Sequence, residues 1–269
     1  MRLYFVENAR NMALSNGPDA MVFDLDGVIT FTARLHAAAW KELFDSYLDE
    51  RAKKTGEPFV PFDANADYLQ YVDGKPRYDG VASFLVSRGI HLPMGNPSEP
   101  STAETVAGLG NRKDELFRKK VDEVGVDYDH EAVRFVEDLR AHGIRVGIAS
   151  SSKNAIPIVN KCGIANLFEV IVDGNFSEQR HLRGKPAPDI FLACLAELVR
   201  APNPSRAGIA EDAIVGVEAG RNGGFALVLG VDRSTGELGH YGANWVIKDF
   251  REITADKVIA YFAARTQVA

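Results

Sequence analysis

The sequence lacks the features that define several large classes of protein. Cys162 and Cys194 are the only cysteines among 269 residues, and they lack the spacing of a zinc site or a redox pair. A disulfide-rich scaffold is therefore excluded, and both are expected to be reduced core residues. No internal repeat is visible, and no apolar run approaches the roughly 20 residues of a membrane-spanning helix. We therefore expect a globular protein of one or two domains without a membrane partner.

Positive charge is also in the minority. The chain has 31 Lys and Arg residues against 37 Asp and Glu residues, a formal net charge of −6. This balance argues against general binding to nucleic acid or membrane surfaces, so any anion site must be basic only locally. Glu7 and Asn8 stand where a secretory signal would need a long apolar segment. We expect a cytoplasmic protein that is a monomer or a weak dimer.

The most informative stretch is a pair of aspartates at the end of an apolar run. The residues from Met21 to Leu25 predict a strand that Gly27 ends, with Asp24 and Asp26 at its carboxyl end, where open α/β sheets bind ligands. Two close carboxylates repel each other, and a hard cation such as Mg²⁺ would relieve this. A carboxylate beside Mg²⁺ can attack a phosphoryl group while its neighbour transfers protons. The alternative is an ordinary turn rich in Asp and Gly.

An alternation of strands and helices follows from about residue 129. Helices of about ten residues separate the later strands, which indicates a parallel sheet with right-handed crossovers that also includes the first strand. The segment between them is mostly helical and forms a second, inserted unit. These later strands are predicted at 145–149, 168–172, 207–210, 226–231 and 243–247.

Polar residues also occur at the ends of two of these later strands and in one later loop. Ser150 to Ser152 end a strand and lead into a helix, where they are either anion ligands or ordinary N-caps. Lys185 lies between a glycine and two prolines, and such a loop lysine is usually solvated. Glu211 and Asp212 end another strand, where acids are commonly helix caps. Together with the aspartate pair, these residues supply what phosphoryl transfer through an aspartyl phosphate requires.

From Met21 onward, the sequence resembles the haloacid dehalogenase-like superfamily of phosphotransferases, and within it the β-phosphoglucomutase group. The first motif of that group often reads as this chain does from Phe23 to Thr30. The resemblance implies an α/β fold: a Rossmann-like parallel sheet with helices on both faces, plus an inserted, mostly α-helical cap domain. The catalytic core would comprise residues 1–31 and 126–269, and the cap would comprise residues 32–125.

The resemblance also implies roles for the core residues. Asp24 would be the nucleophile and Asp26 the general acid and base. Gly27 would belong to the substrate-binding residues, and Ser150 and Lys185 would bind the transferring phosphate. Mg²⁺ would be bound by the backbone carbonyl of Asp26 and by several acidic residues. These acidic residues are Asp24, Asp26, Glu211 and Asp212.

Within the insert, Thr32, His36 and Trp40 match a Thr-x-x-x-His-x-x-x-Trp stretch of the same group. The spacing of four places all three on one helical face. The resemblance implies that Thr32 and His36 belong to the catalytic residues. The alternatives are a surface histidine at His36 and a core anchor at Trp40, and we retain the second.

A further set of residues resembles those that hold the second phosphate of a sugar bisphosphate. Arg77 lies in a loop like the one whose arginine binds that phosphate, and Lys113 resembles the cap lysine that extends into the site. Ser152, Lys153 and Asn154 resemble a core segment that also contacts it. A simple hydrolase has less need of this second set.

The expected activity is therefore a phosphomutase that interconverts β-glucose 1-phosphate and glucose 6-phosphate. Its substrate would be a small phosphorylated sugar, its metal Mg²⁺, and its priming phosphoryl donor glucose 1,6-bisphosphate. The main alternative is a Mg²⁺-dependent sugar-phosphate phosphatase, in which water replaces the second sugar hydroxyl. A catalytically silent phosphosugar-binding module is a third hypothesis, against which the presence of both Asp24 and Asp26 argues.

Overall fold

The chain divides into two units. The structure is a computed structural model that describes residues 17–233 and 236–266. One unit contains the described residues up to Thr30 and from Tyr128 onward, and the other consists of Phe31–Asp127. The N-terminal residues behind the prediction about a secretory signal lie outside the described part. No helix within the described ranges is long and apolar enough to cross a membrane.

The second unit is helical and has an aromatic core. The Phe44 ring lies 4.1 Å from the Phe84 ring and 5.2 Å from the Phe62 ring, and all three side chains are fully buried. Burial of such large side chains is the main stabilising contribution here. A π-helical turn at Tyr68–Val72 lies between the first two helices. The three α-helices are α1 (Ala33–Thr55), α2 (Arg77–Ser87) and α3 (Val106–Val124).

A six-stranded parallel sheet forms the centre of the first unit. Its strand order is β3-β2-β1-β4-β5-β6, so the first strand of the chain is central. Each described pair is parallel, as the alternation of strands and helices predicts. The strands are β1 (Ala20–Phe23), β2 (Arg145–Ala149), β3 (Val170–Val172), β4 (Ala207–Glu211), β5 (Leu227–Val231) and β6 (Trp245–Ile247).

Helices cover both faces of this sheet. Successive side chains of a strand point to opposite faces. Val22 belongs to a buried cluster with Phe191, whereas the Phe23 ring lies 6.1 Å from Phe135. Strand β1 is therefore apolar on both faces, which explains its continuous apolar run. The helices of this unit are α4 (His130–Ala141), α5 (Ala155–Lys161), α6 (Gly174–Gln179), α7 (Asp189–Leu198), α8 (Ile214–Asn222), α9 (Leu238–Tyr241) and α10 (Ala255–Thr266).

The predicted Rossmann-like α/β fold with a helical insertion is thus confirmed. The two units divide at 30/31 and 127/128, whereas the sequence indicated boundaries at 31/32 and 125/126. Their assignment as catalytic core and cap is a proposal about function, which the site in each unit must support.

Candidate active site

The register of the sheet brings several strand-end side chains to one edge. Phe23 of β1 is paired with Ile148 of β2 and with Ala210 of β4. The residues that follow these three therefore lie side by side. This edge carries the acids and the serine that the sequence analysis singled out, namely Asp24, Ser150, Glu211 and Asp212.

Lys185 connects two of these carboxylates from the loop before α7. Its side chain is fully buried, and its Nζ donates to Asp24 Oδ1 at 2.6 Å and to Glu211 Oε1 at 2.5 Å. Burial on its own lowers the pKa of a lysine, but attraction to Asp24 and Glu211 outweighs it, so the pKa of Lys185 is raised. Lys185 is therefore a fixed cation, and the alternative of a solvated loop lysine does not match this burial.

Glu211 is held from two further directions at the start of α8. Its Oε2 accepts a hydrogen bond from the backbone N–H of Ala213 at 2.8 Å. Gly216 allows the first turn of α8 to approach, because a Cβ there would lie 1.8 Å from Glu211 Oε1. Both oxygens of this carboxylate are therefore engaged, and Glu211 orients Lys185 as well as offering an oxygen to a cation.

Asp24 lies in an environment that disfavours its charged form. Burial raises the pKa of its carboxyl, attraction to Lys185 opposes this, and repulsion from Glu211 and Asp26 adds to the rise, to about 8. A bound divalent cation acts in the opposite direction, because opposite charge favours the carboxylate. Asp24 is therefore poised to be ionised by a cation at this edge of the sheet.

Three carboxylates have the geometry of a cation site. Oxygen atoms of Asp24, Glu211 and Asp212 all lie within 4.8 Å of one another. Gly27 has φ 90°, and a Cβ there would lie 1.9 Å from Asp212 Oδ2, so the Asp212 carboxylate lies directly against the backbone that follows Asp26. A donor set made only of oxygen suits a hard cation. These residues fit Mg²⁺.

Ser150 connects the end of β2 to the second aspartate. It is buried, and its Oγ donates to Asp26 Oδ2 at 3.4 Å and accepts from the backbone N–H of Ser152 at 3.1 Å. Ser150 therefore points towards the aspartate pair instead of capping α5. The structure thus brings Ser150 and Asp26 together with the carboxylates around Lys185.

The residues after Ser150 form a turn held by their own side chains. Ser152 Oγ accepts from the backbone N–H of Asn154 at 3.2 Å, which is the local bond expected of a serine before a helix. Asn154 is buried, and Lys153 pairs with Glu178 of α6 at 2.8 Å. This turn is therefore rigid, and any anion that binds Lys153 must share it with Glu178.

The second unit holds a separate cluster of the predicted residues. Lys113 of α3 is buried, with its Nζ 2.6 Å from His36 Nδ1 and 4.9 Å from the centre of the Trp40 ring. The His36 ring is half-buried and stacks on Phe117 at 3.9 Å. Thr32 is buried just before α1. Trp40 is buried and stacked in the aromatic core, as the core-anchor alternative expected.

Arg77, the first residue of α2, makes an ion pair across to α3. Its Nη1 lies 3.2 Å from Asp114 Oδ2, and Arg118 approaches the same oxygen at 2.9 Å. Asp114 and Arg118 were not singled out from the sequence. Their spacing of four on α3 is an ordinary ion-pair spacing, which by itself does not indicate a site.

Arg233 is another residue that the sequence analysis did not identify. Its Nη1 donates to the backbone carbonyl of Gly27, and its Nη2 lies 2.6 Å from Asp129 Oδ2. Asp129 Oδ1 in turn accepts from the N–H of Glu131 at the start of α4. Arg233 therefore ties the loop that carries both catalytic candidates to a helix terminus.

Known proteins resemble this chain in sequence and in fold. The model of the haloacid dehalogenase-like hydrolase family matches residues 18–224, so the chain belongs to the haloacid dehalogenase-like hydrolases. Within that family it falls into the β-phosphoglucomutase group, as the sequence motifs predicted.

Three proteins named β-phosphoglucomutase are similar to this chain. The β-phosphoglucomutase of Mycobacterium bovis is 45% identical over 250 residues, 91% of this chain and 95% of that protein. The Bacillus subtilis β-phosphoglucomutase is 29% identical over 88% of this chain and 92% of its own length. The crystal structure of the Clostridium difficile β-phosphoglucomutase has a TM-score of 0.72 at 25% identity and covers 93% of this chain and 99% of that one.

Proposed function

We propose that the protein is a phosphomutase that interconverts β-glucose 1-phosphate and glucose 6-phosphate. The observation that carries the phosphoryl-transfer part of this proposal is the buried Lys185, which joins Asp24 to Glu211 beside a cluster of carboxylate oxygens. This arrangement occurs in a chain that is 45% identical to a protein named β-phosphoglucomutase over almost its whole length. A chain that merely binds phosphosugars has no need of a buried nucleophile with a fixed cation.

In the proposed reaction, an Asp24 carboxylate oxygen attacks the phosphorus of the substrate. The bond between phosphorus and the sugar oxygen breaks as the bond to Asp24 forms, and Asp26 donates a proton to the leaving sugar oxygen. In the reverse step Asp26 removes a proton from a sugar hydroxyl, which then takes the phosphoryl group from Asp24. Lys185 and Ser150 would bind the transferring phosphate. Because Lys185 is already fixed, little reorganisation is needed as charge develops.

Interconversion of the two isomers requires a bisphosphate intermediate. Phosphorylated Asp24 gives its phosphoryl group to glucose phosphate, and the resulting glucose 1,6-bisphosphate reorients and returns its other phosphoryl group to Asp24. A small amount of glucose 1,6-bisphosphate would prime the enzyme. During each transfer the second phosphate needs ligands of its own, and we assign Arg77 of the second unit to this role. Ser152, Lys153 and Asn154 of the first unit are further proposed phosphate ligands, and Lys113 is a proposed substrate ligand.

The contact between Lys113 and His36 supports a hydrogen-bonding role for His36. We assign the donor role to Lys113, because a charged lysine only donates hydrogen bonds; His36 Nδ1 is then the acceptor and the ring proton is on Nε2. His36 is then a neutral imidazole with a fixed tautomer that can donate through Nε2. We propose that His36 and Thr32 use such hydrogen bonds to position the reacting groups.

A phosphatase of the same family is the second candidate function. Its chemistry needs the same Asp24 and Lys185, but water accepts the phosphoryl group. The experiment that separates the two supplies purified protein with β-glucose 1-phosphate, Mg²⁺ and a trace of glucose 1,6-bisphosphate. A mutase forms glucose 6-phosphate in excess over inorganic phosphate, a phosphatase does the reverse, and a silent module forms neither.

Removal of the divalent cation is expected to abolish activity. Asp24 and Asp212, with Glu211 and the carbonyl of Asp26, would hold Mg²⁺, which neutralises charge on the transferring phosphate. Excess chelator should lower turnover by at least about a hundredfold, and Mg²⁺ should restore it. Ca²⁺ should inhibit, because it takes more ligands at longer distances and misplaces Asp24.

Metal binding itself can be followed by the shift that Mg²⁺ causes in the thermal unfolding midpoint. This shift should be lost in Asp212→Asn and retained in Asp138→Asn, a half-exposed acid of α4. Full activity in excess chelator would contradict the metal assignment.

Loss of Arg233 is expected to weaken the loop that carries Asp24 and Asp26. Arg233→Met removes the hydrogen bond to the Gly27 carbonyl, which is worth about 1.5 kcal/mol for a charged donor, so kcat should fall on the order of tenfold. The Mg²⁺ concentration for half-maximal rate should rise as well. Arg251→Met is the matched control, since Arg251 is an exposed arginine that forms its ion pair with Asp249 and not with Gly27 or Asp129. Equal behaviour of the two variants would exclude this role.

A further inference from the structure

Asp114 is shared by two arginines in the second unit. Arg77 Nη1 and Arg118 Nη2 approach the same oxygen, Asp114 Oδ2, at 3.2 and 2.9 Å. The side chains of Arg77 and Asp114 are each 13% exposed, whereas that of Arg118 is 65% exposed. The pair formed by Arg77 and Asp114 is therefore largely screened from water, and Arg118 covers its outer side.

Helices α2 and α3 pack closely against each other at the base of the Arg77 side chain. Gly110 of α3 packs against the first turn of α2: a Cβ there would lie 2.5 Å from the Tyr78 ring and 3.4 Å from Arg77 Cγ. The Tyr78 hydroxyl donates to Asn111 Oδ1 at 2.9 Å and fixes the same two helices together. The guanidinium at the end of the Arg77 side chain pairs with Asp114 and lies 5.9 Å from the centre of the Tyr78 ring.

We propose that Asp114 competes with the second phosphate of the substrate for Arg77, and so sets how tightly the bisphosphate is held. This inference rests on the proposed function, in which Arg77 binds that phosphate. A phosphate dianion attracts the guanidinium more strongly than a carboxylate does, and it can accept two parallel hydrogen bonds. Arg77 therefore changes partner when the phosphate arrives and returns to Asp114 when it leaves.

Arg118 lowers the electrostatic cost of this exchange of partners. A screened carboxylate that loses its only cation is strongly disfavoured. Asp114 keeps Arg118 at 2.9 Å when Arg77 turns away, so its charge remains compensated. The consequence is a phosphate ligand of reduced strength. Weak binding of the second phosphate suits a mutase, because the bisphosphate must release both phosphates in order to reorient.

The test compares three single variants for their apparent affinity for glucose 1,6-bisphosphate, measured as its activation constant and by calorimetry on the intact protein. Asp114→Asn removes the competing charge and should tighten binding on the order of fivefold. Arg118→Met removes the second arginine beside Asp114 and should weaken binding on the order of threefold. Glu115→Gln, which removes an exposed charge from the same helix, is the control and should change nothing.

The Arg77→Met variant, alone and combined with Asp114→Asn, completes the test. In an Arg77→Met background, Asp114→Asn should no longer tighten binding, because the two side chains act through one contact. Weaker binding in Asp114→Asn alone would overturn competition and make Asp114 a positioning residue. An equal effect of Glu115→Gln would also overturn it. If Arg77→Met alone leaves bisphosphate affinity unchanged, the proposed role of Arg77 fails, and that result is distinct from a failure of Asp114→Asn with Arg77 intact.

Discussion

Asp24→Asn should abolish turnover and the formation of an acyl phosphate. A neutral amide is a poor nucleophile and a weak metal ligand, and it cannot balance the charge of Lys185 at 2.6 Å. The expected loss exceeds a thousandfold, about 4 kcal/mol of barrier. The measurement is the rate of glucose 6-phosphate formation, together with trapping of phosphorylated enzyme after exposure to glucose 1,6-bisphosphate.

Two controls separate lost chemistry from lost folding. Lys185 retains its contact with Glu211 in the variant, so the fold should survive with a cooperative thermal transition. Asp26→Asn should impair proton transfer yet still allow some phosphorylation of Asp24 by a substrate with a good leaving group. Asp24→Asn that keeps more than a few per cent of activity would show that another residue is the nucleophile.

Arg77→Ala should lower conversion of β-glucose 1-phosphate to glucose 6-phosphate on the order of a hundredfold. The reason is the loss of a charge-assisted contact to the second phosphate, about 2–3 kcal/mol. Hydrolysis of acetyl phosphate, which has no second phosphate, should fall far less. This difference between the two substrates is the quantity to measure, because it separates a bisphosphate ligand from a structural residue.

Arg88→Ala is the matched control for this experiment. Arg88 lies in the same helical unit and makes a comparable, partly buried ion pair with Asp67 at 2.8 Å. Its loss should affect the stability of the unit while leaving the ratio of the two activities unchanged. Equal losses of both activities in Arg77→Ala would assign Arg77 to folding, and no loss in either would show that Arg77 has no part in either reaction.

The central elements of the fold could be predicted because each has a strong local pattern. Strand β2 occupies Arg145–Ala149, as predicted. The edge strands β3 and β6 are shorter than predicted, at Val170–Val172 and Trp245–Ile247. The N–H groups of Phe168 and Ala243, at the predicted starts of these strands, donate instead to Ala165 O and Leu238 O in the preceding turns. The hydrogen bonds between neighbouring strands determine where each edge strand begins and ends, and these bonds cannot be read from the sequence.

Two short helices were missed for a related reason. Helices α6 and α9 have six and four residues, fewer than the apolar period needs to become visible. Helix α6 begins because Asp173 caps it through the N–H groups of Asn175 and Phe176. An aspartate before a short segment is too common to predict a helix.

In the candidate site, too, residues with a local sequence pattern could be identified, whereas residues defined by long-range contacts could not. Asp24, Asp26 and Asp212 were identifiable because they end strands, and parallel strands bring such residues together. The burial of Lys185 could not be predicted, since it depends on two carboxylates that are far away in sequence. Arg233 and Asp114 leave no motif at all, because their contacts with Gly27, Asp129 and Arg77 join residues that are far apart in sequence. Their identification required coordinates.

Because β1 lies at the centre of the sheet, both of its neighbouring strands are synthesised well after it. Asp26 and Ser150 are 124 residues apart in the chain, and Asp24 and Lys185 are 161 apart. At a translation rate of roughly 5–20 residues per second, the nascent strand waits on the order of ten seconds for its partners. The helical unit, by contrast, is one uninterrupted segment that can fold while the ribosome is still producing the sheet. Asp24 is thus synthesised well before Lys185, and its buried apolar strand needs protection from aggregation in the interval.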